Sequence, residues 1–340
     1  MALRVSKMLV GIVTFIALVI LIAWVHDARL RARLLADTPP AGAYIDTPKA
    51  RLHYLARQHS DKDKPVFVLI HGSSANAHDM MLALGDVLAP HGTVLAFDRP
   101  GIGRSVNKIS NMEMSDPRKQ AGEIHTAVKA MGYDNIIVIG QSWGGSVALG
   151  YAQEFGEEIN GTVMLAPPII PWYGPPFWAY RLVTTPIIGP IFAHSILGKY
   201  GETQLHAGAK GAATPEVSPE NYVFDAALAL ILQPRAFITN AVYAIELKHH
   251  LADMQKRYRD MPGTLRKLLI IHGDKDRTVN IEYNAESFRL VRDDVELIEL
   301  KGAGHLLHHT WQNEIADAVL RFVKDGQVRP GRHILEKTAG

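Results

Sequence analysis

The sequence predicts an α/β fold: a doubly wound, mostly parallel sheet with a helical cap domain inserted into it. Short β-branched runs alternate with helical stretches before residue 167 and again after 263, the pattern of parallel βαβ units. One run, Ile136-Ile137-Val138-Ile139, stops at Gly140 and gives way within a few residues to a helical pattern starting at Ser146. Between Pro167 and Pro262 lie roughly a hundred residues, too many for a simple crossover, which implies the cap.

Composition bounds the answer. At 340 residues, 47% hydrophobic and 21% charged, the chain has ample material for a sizeable core. A net charge of +2, with no long Lys/Arg block, argues against a nucleic-acid partner. Cysteine is absent, which removes disulfides and thiolate metal sites and leaves the compartment open. No internal repeat or long low-complexity tract interrupts the chain.

The elements follow in order. Met8 to Val25 carries no charge and no proline, and at about 1.5 Å per residue nearly matches a hydrocarbon core of roughly 30 Å. Arg4 and Lys7 precede it, Trp24 stands at its boundary, and Arg29, Arg31 and Arg33 follow. A cleaved signal peptide is the competing view, but the run exceeds a usual signal core and no small-x-small site follows directly. The expectation is an uncleaved single-pass anchor, as in a bacterial inner membrane, with the side of the catalytic domain open. Residues 28–42 read as a polar juxtamembrane helix ending in a linker at Thr38-Pro39-Pro40. The expected division is anchor and linker 1–43, core 44–167 and 263–325, cap 168–262, and a C-terminal tail 326–340.

Within the core, Arg51–Arg57 alternates like a half-exposed strand, and Val66–Ile70 reads as a central one. Helical periodicity runs from about Asn76, a candidate N-cap, to Leu88, where Pro90 stops it. Thr93–Phe97 is the next strand; Pro117–Met131 is an amphipathic helix leading to the Ile136 strand. Gly161–Ala166, Leu268–Ile271 and Val295–Leu300 supply the remaining strands. In the cap, the proline- and aromatic-rich stretch from Pro167 to Phe192 resists regular structure and would line an apolar entrance, pack onto the core or lie on a bilayer. Phe224–Leu232 and Arg235–Leu251 read as cap helices.

Ligands of such sheets bind beyond the carboxyl ends of the strands, so the loops there carry the chemistry. Gly140-Gln141-Ser142-Trp143-Gly144 is a G-x-S-x-G turn between strand and helix. A serine on so sharp a turn stands above the sheet edge, with helix N-terminal N–H groups beside it. Asp274 and Asp276 follow the Leu268 strand, and His305 follows the last one. Ser, Asp and His in that order allow His305 to take the Ser142 proton while a carboxylate orients the imidazole. Asp98-Arg99-Pro100-Gly101-Ile102-Gly103 lacks the third glycine and the Lys-Ser/Thr of a phosphate-binding loop. His249-His250 and His308-His309 are adjacent pairs rather than His-x-x-x-His on one face, so no metal and no cofactor is expected.

Five stretches in order carry a resemblance: His71-Gly72-Ser73, Asp98–Ser105, Gly140–Gly144, Gly273-Asp274-Lys275-Asp276 and Gly304-His305. Over about 44 to 325 the chain resembles the α/β-hydrolase superfamily. The resemblance implies Ser142 as nucleophile, Asp276 rather than Asp274 as the acid, and His305 as base. It also implies an oxyanion hole at the backbone N–H groups of Ser73 and Trp143. His71 is expected to brace its loop by hydrogen bonding rather than transfer a proton, and Asp98 to hold its turn as a structural carboxylate. Haloalkane dehalogenases and epoxide hydrolases of this fold carry aspartate at the elbow, which Ser142 disfavours. The expected activity is a serine esterase or lipase-like hydrolase acting on a small ester or lipid-like substrate. Thioesterase, amidase, C–C hydrolase and haloperoxidase-like chemistries share the same residues, and a non-enzymatic binding protein on this fold is the remaining alternative.

Overall fold

Strand register explains why the loops named above meet. The computed structural model describes residues 2–36, 38 and 41–337. Its sheet contains β1 (Ala43–Asp46), β2 (Ala50–Arg57), β3 (Val66–Ile70), β4 (Thr93–Phe97), β5 (Val106–Asn107), β6 (Ile136–Gln141), β7 (Gly161–Leu165), β8 (Leu268–Gly273), β9 (Glu296–Leu300) and β10 (Gly331–Leu335). The order is β1-β2-β4-β3-β6-β7-β8-β9-β10, with β5 beside β2. Pairings of β2 with β1, β4 and β5 are antiparallel; the others are parallel. Ile70 of β3 faces Gly140 of β6, and Gly273 of β8 faces Leu300 of β9, so the segments at 71, 142, 276 and 305 leave one edge together.

The central strands are apolar throughout because both faces are covered. Val66, Val68 and Ile70 join Ile136 and Val138 on one face, packed against α2 (Pro117–Ala130) and α3 (Trp143–Phe155). Phe67, Leu69, Ile137 and Ile139 join the opposite face, under the helical segment 77–91 and α7 (Gln312–Asp325). Alternating β-strand side chains thus feed two cores. Asn76 caps the 77–91 segment, its side chain accepting from the His78 N–H.

Several expectations need correction. The expected juxtamembrane helix is the last part of α1, one helix over Ala2–Ala36, and α1 is tied to the insertion near its end. Asp27 is buried, paired with Arg31, and accepts from the N–H groups of Gly198 and Lys199 at 2.6 and 3.1 Å. Nothing local in the sequence shows the donors to Asp27, which lie about 170 positions away. Of the expected linker, Pro39 and Pro40 lie outside the described residues, as does Asp37.

The 326–340 tail instead contains β10, which pairs in parallel with β9 and covers its edge; residues 338–340 lie outside the described residues. Within the proline-rich stretch 167–192, it is the part before Trp178 that lacks regular structure. α4 (Trp178–Val183) and α5 (Ile188–Ala213) follow, because Pro190 falls in the first turn of α5, where its missing N–H costs nothing. Phe224–Leu232 is broken: a turn at Tyr222–Asp225 and a 3₁₀ segment at Leu228–Leu232 flank Ala227, whose φ is +51°. α6 (Pro234–Met254) completes the insertion's main helices.

Candidate active site

Ser142 occupies the turn between β6 and α3 with φ +50° and ψ −121°, a backbone conformation that L residues rarely adopt. Its flanking glycines are obligatory. A Cβ on Gly140 would stand 2.1 Å from the Gly144 carbonyl oxygen, and one on Gly144 would stand 2.2 Å from that of Ile70. The Ser142 N–H donates to the Leu165 carbonyl at 2.8 Å, which ties the strained residue to β7.

His305 lies between Ser142 and Asp276. Its Nε2 is 2.9 Å from Ser142 Oγ, and its Nδ1 is 2.6 Å from Asp276 Oδ2. The other Asp276 oxygen accepts from the N–H groups of Thr278 and Val279 at 2.7 and 2.9 Å. Burial pushes the Asp276 carboxyl up, but the His305 hydrogen bond, the neighbouring histidines and the Val279 N–H outweigh it and hold the carboxyl below its usual value. It is therefore anionic at neutral pH and fixes Nδ1 as the protonated nitrogen, leaving Nε2 to accept from the serine. Asp274 sits apart, bonded to the Gly302 N–H and to Lys275 and Lys301.

The loop after β3 lies against the elbow: a Cβ on Gly72 would come within 3.2 Å of the Ser142 Cβ. Trp143 opens α3, so its N–H is one of the helix's unpaired initial donors. Ser73 is held from the cap. Asn240 on α6 accepts from the Ser73 hydroxyl and the Ser74 N–H, both at 3.0 Å. Beneath lies Arg99, fully buried, its guanidinium 4.2 Å from the Trp143 ring and donating to Gly72 O at 3.2 Å and Gln120 Oε1 at 3.3 Å. Burial pushes it down to about 9, so it still places a fixed positive charge below the elbow at neutral pH.

His71 and Asp98 brace this floor. His71 Nδ1 donates to Gly72 O while Nε2 accepts from the Arg99 N–H, an arrangement open only to a neutral ring. Asp98 accepts from the N–H groups of Ala77 and Arg104 and bonds His53 Nδ1.

The cap grips the segment that carries His305. Ala212 O, at the end of α5, accepts the N–H groups of His305 and Leu306 at 2.8 and 3.1 Å. The Glu216 carboxylate accepts from Gly304 N, Thr310 Oγ1 and Trp311 Nε1 at 3.3, 2.8 and 3.0 Å. Nearby, Tyr222 OH donates to Asp79 at 2.7 Å, and His308 and His309 reach the same carboxylate at 3.2 and 2.8 Å. The adjacent histidines thus converge on one acid, which sequence spacing had not suggested. Their ligand atoms and that of Asp79 lie within 4.8 Å of one another. As a metal site the cluster lacks support around it, since His308 Nδ1 is buried with no acceptor to orient the ring.

Asn240, Arg99, Ala212 and Glu216 were missed by sequence reasoning. Of these, Arg99 stood inside the quoted Asp98–Ser105 stretch without a role assigned to it.

The comparisons agree with this architecture. Residues 67–318 match the model of the "Alpha/beta hydrolase family". Epoxide hydrolase 1 of Caenorhabditis elegans is 30% identical over 117 residues, 34% of this chain and 28% of that protein. Proline iminopeptidase of Thermoplasma volcanium is 30% identical over 107 residues, 31% of this chain and 35% of that protein. The chain therefore spans about a third of the length of these curated relatives. Among solved structures, bromoperoxidase from Bacillus anthracis superposes with TM-score 0.63 at 21% identity, covering 84% of this chain and all of that one. A thermophilic esterase from Thermogutta terrifontis does so with TM-score 0.60 at 16% identity, over 84% and 100%. With a family match across most of its length, the chain belongs to the alpha/beta hydrolase family.

Proposed function

We propose that the protein is a membrane-anchored serine hydrolase that cleaves a carboxylic ester with an apolar acyl group, through an acyl-enzyme on Ser142. The observation that carries this is the unbroken line Ser142 Oγ, His305 Nε2, His305 Nδ1 and Asp276 Oδ2, set at a strained turn. His305 takes the Ser142 proton as Oγ attacks the ester carbonyl carbon. The resulting oxyanion accepts from the Ser73 and Trp143 N–H groups, each such donor typically contributing ~3 kcal/mol. The C–O bond then breaks, and His305 passes its proton to the leaving alcohol. Water, deprotonated by His305, attacks the acyl carbon; the acid leaves and Ser142 regains its proton.

Anchoring is supported by α1, which is long and apolar enough to cross a membrane. A signal sequence passes the same test, but Asp27 and Arg31, buried against α5, favour retention of the helix. Serine at the elbow favours the acyl-enzyme route over the chemistry named for the epoxide hydrolase relative. The test is a screen of the purified protein against p-nitrophenyl esters of graded length, with thioester and amide counterparts, alongside fluorophosphonate labelling. Long-chain ester preference with labelling at Ser142 is the expected result. Amide preference or absent labelling would overturn the assignment.

A further inference from the structure

The cap exposes a run of large apolar side chains that its own core does not need. Ile187 is 79% exposed, Trp178 64%, Ile188 57%, Phe177 56% and Ile191 43%. They lie on α4, the start of α5 and the approach to them, and the Phe177 ring packs beside those of Trp178 and Tyr180. From residue 167 to 201 there is no acidic side chain; the charges are Arg181 and Lys199.

The contacts between α1 and α5 say what covers this patch. Trp24 Nε1 donates to His194 Nδ1 at 3.2 Å, and Asp27 accepts from Gly198 N at 2.6 Å. Both contacts advance in the same sense, so the helices run side by side in one direction. Gly198 sits close: a Cβ there would be 2.6 Å from the Asp27 carbonyl oxygen. From His194 back to Ile188 is about 9 Å of helix at ~1.5 Å per residue, and the same distance back from Trp24 reaches Leu18. Leu18 lies well inside the uncharged run Met8–Val25.

We infer that Ile187, Ile188 and Ile191, with Phe177 and Trp178, sink into the lipid leaflet from which α1 emerges. The partner is a bilayer surface carrying anionic phospholipids, whose phosphates Arg181 can meet at headgroup level. α1 and the cap then form a two-part footprint, held in register by Asp27, that fixes the cap against the membrane. This rests on the anchored reading of α1 and is independent of the ester assignment.

The absence of cysteine makes the test direct. Single cysteines are introduced in the full chain as Leu18→Cys, Ile188→Cys and, far from the patch, Leu290→Cys, then labelled with a small fluorophore. The protein is reconstituted into phosphatidylcholine–phosphatidylglycerol vesicles and quenched with nitroxide lipid or aqueous iodide. Positions 18 and 188 should be quenched at least about threefold more by nitroxide lipid than position 290, which iodide should quench. If 18 lies in lipid while 188 follows 290, the anchor stands and the cap docking fails. A probe at 188 shielded from both quenchers would mean a protein partner covers the patch, which also overturns the inference. If 18 itself follows 290, the anchored reading and the docking fall together.

Discussion

Glu216→Ala tests whether the cap positions the histidine or merely rests on it. The substitution removes the acceptor of three donors, on Gly304, Thr310 and Trp311, at both ends of the segment carrying His305. Hydrogen bonds to a charged acceptor contribute about 1.5–3 kcal/mol each when buried. The Glu216 side chain is 20% exposed, so water replaces part of the loss, and a net cost of ~2–4 kcal/mol follows. A domain of this size would lose roughly 4–8 °C of Tm. The kinetic effect is separate: the Gly304 N–H is freed next to His305, and a shift of about 1 Å costs ~10²-fold in rate. Thermal unfolding would be read beside the rate of fluorophosphonate labelling and, on an ester substrate, kcat and KM. The expectation is a 10- to 100-fold fall in labelling rate and kcat with KM little changed (~ twofold), and a smaller effect for Glu216→Gln, which keeps one acceptor oxygen. A lowered Tm with unchanged labelling would refute the positioning argument and leave Glu216 as simple glue.

Ser142→Ala should lower turnover by roughly 10⁴–10⁶-fold and abolish probe labelling; retained labelling would place the nucleophile elsewhere. Asn240→Ala frees the Ser73–Ser74 turn and should cost ~10-fold or more in kcat, approaching the loss of one oxyanion donor, with thermal unfolding as the control for folding. Acid should destabilise the fold through His71 and His272, both fully buried and pushed down to about 4 by burial from 6.5. Below 6.5 the unfolded chain binds protons that the folded one refuses, so this stability is full above 6.5 and is lost as pH falls toward 4. The loss is up to ~3 kcal/mol for each histidine, read as urea midpoints between pH 7 and 4.5; a flat profile would contradict their burial as neutral rings.

Local physics made the core legible. Val66–Ile70 and Ile136–Ile139 could be read as central strands because both their faces are covered, which leaves an unbroken apolar run. β10 was not legible, because an edge strand with one covered side reads as Arg332-His333-Ile334, no different from a tail. Residues 167–192 misled for another reason: proline density signals broken structure, yet Pro190 at a helix start breaks nothing.

Sequence alone determined the sheet's central strands and the serine elbow, since β-branched runs and obligatory glycines act over a few residues. It also brought Ser142, Asp276 and His305 forward as candidates, because strand ends of a parallel sheet share one edge. Only the tertiary structure decided that the cap holds the His305 segment through Ala212 and Glu216, and that Asp27 clamps α1 to α5. Those bonds join residues some 90 to 170 positions apart, and at such separations the chain carries no periodicity, spacing or turn chemistry from which a pairing can be read.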